Sequence, residues 1–475
     1  MPRRLNPSID FEHLSQCIDR LVSGSAEPNR PLIAPAFNRG RIDRMADRLI
    51  GAIESSEKNG RPVCLCSRDK AWTTAALLAS LRCGRPVILP HSYSRPSLKE
   101  AWQAFRFSAA LVDGVYPLPD AVAALPIEGC ESAKSRRRTS SPISPDRPWV
   151  YLFTGGSTGR PKIWSKTPVN LLSEILCMAR AYSVTDRDRI VATVPPNHIY
   201  GLLYSVLLPL VSSAEVLRST PSYPNEIDQA IADHAATILV SIPVHYRTLA
   251  HHPLAAHGLR LAFSSAGALD PQDDKAFYGN TGVPVTEIYG STETGGIANR
   301  CRALGQPELK PFDWVEWRIS RKRLRIRSAF LSAELERDPD GFFELADRVE
   351  PIGDTGFKLL GRIDGITKVA GKRVDLAGIR EVLKTVPGVR DAVVFAMAVG
   401  QGRENEIMAM VEGAVSIETL RHAASNRLEP YARPRRIRVV DRLPFSEIGK
   451  LDRELVRSIF ASPARENPDE RDGKE

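Results

Sequence analysis

The sequence predicts an α/β protein: a large, multi-layer N-terminal domain with mixed, largely parallel sheets, followed by a small α+β C-terminal domain. Four observations carry this. A β-α-β order recurs several times before residue 300, and residues 321–327 alternate with a period of two. After Arg362 the pattern changes to a short helix-strand-strand-helix-strand series. At 475 residues the chain is also too long for one ordinary compact domain.

The clearest β-α-β unit runs from Arg61 to Pro90. Pro62-Val63-Cys64-Leu65-Cys66 reads as an apolar strand, Ala71 to Arg82 as a helix, and Arg85 to Pro90 as a second strand. From Glu131 to Pro148 the chain turns rich in Ser, Pro and Arg, the composition of an exposed loop. Near 321–327 arginines hold the odd positions while Leu324 and Ile326 face the other way, so this stretch predicts a half-buried strand with a solvated basic face. The expected division is 1–360 for the first domain, 361–462 for the second, and 463–475 for a polar, disordered tail.

Composition narrows the classes. Hydrophobic residues at 43% and charged residues at 25% exclude wholesale disorder. The longest apolar candidate, Gly201 to Val211, is short and holds Pro209, so no membrane span is expected. The start, Met1-Pro2-Arg3-Arg4-Leu5-Asn6, lacks the apolar run of a secretion signal, and a cytoplasmic protein is expected. Seven scattered cysteines, with Cys64-x-Cys66 lacking a second pair, read as reduced thiols. A net charge of +9 favours an acidic partner or substrate. Arg136-Arg137-Arg138 has no interleaved aromatics, so nucleic acid is not the expected partner. Lysine is scarce, 15 against 50 arginines, and lysines inside glycine-rich motifs therefore stand out.

One such motif is Tyr151-Leu152-Phe153-Thr154-Gly155-Gly156-Ser157-Thr158-Gly159-Arg160-Pro161-Lys162. An apolar strand enters a loop of glycines and hydroxyl residues and closes on a lysine. Phosphate oxygens need many short donors and close backbone approach, which this composition supplies. It is not a P-loop, because Pro161 precedes the lysine and no Ser or Thr follows. A second motif, Glu287-Ile288-Tyr289-Gly290-Ser291-Thr292-Glu293-Thr294-Gly295-Gly296, again follows an apolar strand and offers a carboxylate suited to a hard cation.

These segments resemble the adenylate-forming ligases, the family of acyl-CoA synthetases, aryl-acid ligases, luciferases and peptide-synthetase adenylation domains. The first is similar to their phosphate loop, with Gly155 and Ile163 departing from the pattern; the second resembles their Tyr-Gly-x-Thr-Glu motif. The resemblance implies ATP binding by Thr154, Gly156, Ser157, Thr158, Gly159, Lys162, Tyr289, Gly290, Thr292 and Glu293, with Tyr289 on adenine, Thr292 at the α-phosphate and Glu293 holding Mg²⁺. Ala266 and Gly267, in Ser264-Ser265-Ala266-Gly267-Ala268-Leu269, resemble the strand end bordering adenine and acid; His198 and Gly295 correspond to the acid pocket. The ribose aspartate has two candidates. Asp354 stands too close to Arg362 to leave room for the intervening hairpin, so the role falls to Asp347 and a turn role to Asp354. Gly361-Arg362-Ile363-Asp364 resembles the family's hinge, making Arg362 a ribose or phosphate contact, Asp364 the pivot, and the C-terminal domain mobile. Gly378-Ile379-Arg380 stands where the family carries acids. Leu443 to Arg453 resembles the loop whose lysine, here Lys450, is the catalytic cation between carboxylate and α-phosphate.

The implied reaction joins a small carboxylic acid to AMP and passes it to a thiol, on CoA or on the phosphopantetheine of an acidic acyl carrier protein. Aryl, medium-chain acyl and amino acids all fit the sequence. A non-catalytic nucleotide sensor is the alternative, and the joint presence of Lys162, Glu293 and Lys450 speaks against it.

Overall fold

Four consecutive apolar residues suit a strand covered on both faces, and Val63–Cys66 is buried throughout at the middle of a six-stranded sheet. The computed structural model that shows this describes residues 10–56, 60–127, 141–154, 162–252, 254–255, 257–362, 366–369, 372–399, 403–444 and 459–460. In this sheet the order is Ala123–Pro126, Ala109–Val112, Val63–Cys66, Val87–Leu89, Val150–Thr154, Lys162–Lys166; all neighbours are parallel except the last pair.

The predicted helix is Lys70–Cys83. Asp69 caps its start by accepting from the Trp72 N–H at 3.0 Å, and Gly84, with φ +72°, ends it. Every residue of this helix is buried, so it runs between layers. A single apolar cluster, including Leu77, Trp149, Leu171, Ile175 and Phe263, ties it to both large sheets.

The second sheet has thirteen strands among the described residues. Its parallel part is Val285–Ser291, Leu261–Ser264, Ile238–Ser241, Arg189–Ala192, Glu215–Leu217 and Pro31–Ala34, in that spatial order. From Gly295–Cys301 the sheet continues antiparallel through Gln306–Pro311, Gly356–Arg362, Phe343–Ile352, Arg323–Arg327 and Glu316–Ser320. On Arg323–Arg327, Leu324 and Ile326 are buried and the arginine face is partly exposed, as expected, and that face also carries acidic partners. The adjoining antiparallel segments bring Glu344, Asp338 and Glu316 against Arg323, Arg325 and Arg327.

After residue 362 the expected series is present as Leu376–Lys384, Val389–Val399, Arg403–Gly413, Ile417–Arg427 and Arg436–Val440, packed on its own core of Ile379, Leu383, Ile407, Val411 and Leu420. A hairpin that the periodicity did not separate from the hinge, Ile366–Val369 with Lys372–Asp375, precedes it. The protein is thus a mixed α/β molecule with a large N-terminal part and a smaller C-terminal one. Gly201–Val211 is buried helical chain inside the large part, and no helix among the described residues is long and apolar enough to cross a membrane. Six described cysteines are buried free thiols. The tail, residues 445–458 and most of the Arg-rich loop lie outside the described residues.

Candidate active site

Parallel strands of an open α/β sheet end at a common edge, and ligands bind beyond their carboxyl ends. Seven such ends from the two sheets meet at one cleft of about 440 Å³. Arg68 follows Val63–Cys66, His91 and Ser92 follow Val87–Leu89, and Thr154 ends Val150–Thr154. Asn197 and His198 come after Arg189–Ala192, Ile242 after Ile238–Ser241, and Ser265 and Ala266 after Leu261–Ser264; Gly290 and Ser291 end Val285–Ser291.

Of the residues singled out from the sequence, Thr154, His198, Ala266, Gly290, Thr292 and Gly295 line this cleft. Thr154 faces Lys162 across its antiparallel pair, and the Thr154 Oγ1 accepts from the Trp164 Nε1–H at 2.9 Å. The lysine is exposed at the start of its strand. Ala266 holds a φ of +68°, a left-handed conformation rare for a residue with a Cβ, and Gly267 adjoins it. The Ser265 hydroxyl fixes this corner by donating to the Ile288 carbonyl at 2.9 Å. Gly290 is obligatory for another reason: a Cβ there would stand 2.3 Å from the Gly295 carbonyl oxygen.

Tyr289 and Glu293 sit beside the cleft without lining it. The Tyr289 ring meets Phe357 edge-to-face at 6.0 Å, although two strands lie between them in the sheet order, so the sheet curls over. Asp347 is half-buried and opposes Arg362 in the register of the hairpin Phe343–Ile352 and Gly356–Arg362; Asp354 is exposed in its turn. Gly156, Ser157, Thr158, Gly159, Asp364 and Lys450 lie outside the described residues.

Sequence reading missed a buried pair. Lys166 donates from Nζ to the carbonyls of Phe330 at 2.7 Å and Glu293 at 3.3 Å, tying its strand to the second motif. Burial pulls its ammonium down to about 8, against the opposing pull of Glu174, Glu293 and Glu334. Glu174, on the helix Pro168–Ala181, lines the cleft and accepts from the Gly296 N–H at 2.7 Å. Burial pushes its carboxyl up to about 6, with Lys166 pulling the other way. The signal was there: Glu174 is the one charged residue between Pro168 and Ala179.

Residues from the C-terminal part also reach the cleft. Lys372 and Tyr431 line it, with the Lys372 Nζ 4.6 Å from the centre of the Tyr431 ring. Glu429 accepts from the hydroxyls of Ser92 at 3.1 Å and Ser94 at 2.6 Å. His198 is half-buried by area yet closely surrounded; burial first, then Lys372, His91 and Arg68, push its imidazole down to about 3, leaving it neutral at physiological pH. Burial likewise lowers His91, to about 4, with Lys372 adding to the effect and Glu429 opposing it.

Known proteins agree with this geometry. The family model for the AMP-binding enzyme matches residues 39–319, and that for the AMP-binding enzyme C-terminal domain matches residues 379–450. The chain is 25% identical over 446 residues to sulfoacetate–CoA ligase of Cupriavidus necator, covering 83% of this chain and 87% of that one. To the mitochondrial malonate–CoA ligase of Mus musculus it is 25% identical over 498 residues, covering 89% and 85%. Among solved structures it matches the fold of o-succinylbenzoate CoA synthetase from Bacillus subtilis with a TM-score of 0.82 at 18% identity, covering 93% of this chain and 98% of that one. The protein is an AMP-forming acid–thiol ligase. Strand ends, cleft and matched segments lead to one conclusion: the chain belongs to the AMP-binding enzyme family.

Proposed function

We propose that this cleft carries out both halves of the ligase reaction. In the first, the carboxylate of a small acid attacks the α-phosphate of ATP, giving an acyl-adenylate and pyrophosphate. In the second, a thiol attacks the acyl carbon and AMP leaves. The observation that carries the reading is the convergence of Thr154, His198, Ala266, Gly290 and Thr292 from separate strand ends on one cavity, joined by Lys372 from the C-terminal part.

Roles divide by position. Thr154, Gly156, Ser157, Thr158, Gly159 and Lys162 hold the phosphates, while Ala266, Gly267, Tyr289 and Gly290 receive the adenosine. Asp347 and Arg362 hold the ribose, and His198 and Gly295 border the acid. Lys166 holds the Glu293 segment in place through two carbonyls. A buried carboxylate with a neighbouring hydroxyl offers the oxygen ligands that magnesium prefers, so Glu293, beside Thr292, would hold the ion together with the nucleotide's phosphates. When bound, the ion neutralises charge on the departing pyrophosphate.

The thiol sits on a phosphopantetheine arm, which CoA and an acyl carrier protein share. We place a boundary between a 1–360 domain and a 361–462 domain, with Asp364 as the pivot. The present orientation, with Lys372 and Tyr431 in the cleft, is the one that transfers the acyl group. Rotation brings Lys450 in for adenylation, separating the two steps in time. Free buried thiols suit a reducing, cytoplasmic setting.

Acid-dependent pyrophosphate release, followed by thioester formation with CoA and with a phosphopantetheinylated carrier protein, tests the reading. Lys450→Ala is expected to slow adenylation by about 10²–10³-fold, the cost of one preorganised transition-state donor. Thioester formation from supplied acyl-adenylate is expected to survive. Equal loss in both half-reactions would refute the division of labour.

A further inference from the structure

Besides His198 the cleft is lined by Glu174 of the helix Pro168–Ala181 and by Leu203 and Tyr204 of the helical segment Leu202–Leu207. Its floor is Gly295 and Gly296, which present backbone and no side chain. The walls include Tyr200 and Tyr204, whose rings lie edge-to-face at 5.1 Å. Such a slot suits a planar ring, which buries large area at low conformational cost.

The polar groups at the inner end are unusual. Glu174 spends one oxygen, Oε1, on the Gly296 N–H at 2.7 Å. The other, Oε2, lies over the floor, so close that a Cβ on Gly295 would stand 2.6 Å from it. Lys166, the nearest cation, has turned its ammonium to the carbonyls of Phe330 and Glu293 and forms no ion pair with Glu174 among the described residues. The Tyr204 hydroxyl is buried with no partner among the described residues, and Glu174 is one of the charges acting on it. The cleft is thus lined by a carboxylate oxygen that accepts no hydrogen bond, and by a buried hydroxyl without a partner, among the described residues. Leaving the Tyr204 hydroxyl unpaired costs desolvation energy, which a ligand can return.

We propose that the pocket takes an aryl monocarboxylic acid whose far end carries a neutral hydrogen-bond donor, a hydroxyl or amino group, seated between Glu174 and Tyr204. This rests on the reading above that the cleft holds an acid beside the nucleotide. It also separates this chain from its named relatives. Malonate and sulfoacetate each carry a second anion, and a second anion here would lie against the Glu174 carboxylate, while the Lys166 ammonium is already engaged by the carbonyls of Phe330 and Glu293.

The test is kcat/KM for pyrophosphate release with matched acids: 3- and 4-hydroxybenzoate, 4-aminobenzoate, benzoate, isophthalate and terephthalate, alongside acetate and malonate. Hydroxy or amino acids are expected to exceed benzoate by roughly 10- to 100-fold, the range for a hydrogen bond to a charged group, with the dicarboxylates unused. In Glu174→Gln the Gly296 N–H retains the amide oxygen and turns the NH₂ toward the slot, so the hydroxy-to-benzoate ratio is expected to fall toward one. General damage lowers every acid alike and leaves that ratio standing. Should the variant fail to fold, the wild-type ratios and Tyr204→Phe decide. Benzoate or a dicarboxylate equal to the hydroxy acids, or an unchanged ratio in a folded Glu174→Gln, overturns the inference. Release with acetate or malonate alone overturns it and leaves the ligase reading intact, whereas release with no acid at all brings down that reading too.

Discussion

Asp347 and Asp354 show how two residues of one type part company through their surroundings. Asp347 is half-buried opposite Arg362, where a carboxylate can be held rigidly toward a ligand; Asp354 is exposed in a turn that Gly353, at φ +55°, helps to form. Calorimetric titration is therefore expected to show Asp347→Ala weakening ATP binding roughly 10- to 100-fold, the loss of hydrogen bonds to a charged group, against about twofold for Asp354→Ala. The opposite order would overturn the ribose assignment. Glu174 teaches a different lesson. Its charge inside an apolar helix was visible in the sequence, but its partner, Gly296, lies 122 positions away, and nothing local points to it.

The hairpin of Val285–Ser291 and Gly295–Cys301 is built around close backbone approach. Glu287 pins one side by accepting from the Arg300 Nε at 2.7 Å and the Leu269 N–H at 3.1 Å. At the tip, Gly290 leaves no room for a Cβ, which would meet backbone atoms rather than a yielding side chain. Gly290→Ala is accordingly expected to cost about 1–3 kcal/mol in denaturant unfolding, as overpacking does, and to weaken nucleotide binding along with it. Unchanged stability with unchanged ATP affinity would show that the tip is plastic. The second hairpin, Phe343–Ile352 with Gly356–Arg362, was legible from the family resemblance and the spacing together, since the interval between Asp347 and Arg362 leaves room for two strands and a turn. The hairpin at 366–375 was not, because its strands are only four residues each and the apolar alternation has no length in which to declare itself.

Between the large and small parts, Glu429 acts as a clasp. It accepts from Ser92 and Ser94, which follow the strand Val87–Leu89, and it belongs to the same turn that carries Tyr431 into the cleft. If the present orientation is the proposed acyl-transfer one, Glu429→Ala is expected to destabilise it and slow thioester formation roughly tenfold from supplied acyl-adenylate, with a smaller effect on pyrophosphate release. Stopped-flow measurement of the two half-reactions checks this, and an equal effect on both would show that the clasp does not favour one orientation.

The β-α-β unit at 61–90, the C-terminal series, the phosphate-loop composition and the motif at 287–296 were readable directly from the chain, because periodicity and turn chemistry depend on near neighbours. The polarity of the proposed acid slot and the contacts of Glu429 were not. They arise where Glu174 meets Gly296, Lys166 meets Phe330 at a separation of 164, and Ser94 meets Glu429 at 335. Burial and pairing set the charge state and hydrogen-bonding capacity of such groups, and neither exists until distant segments have packed together.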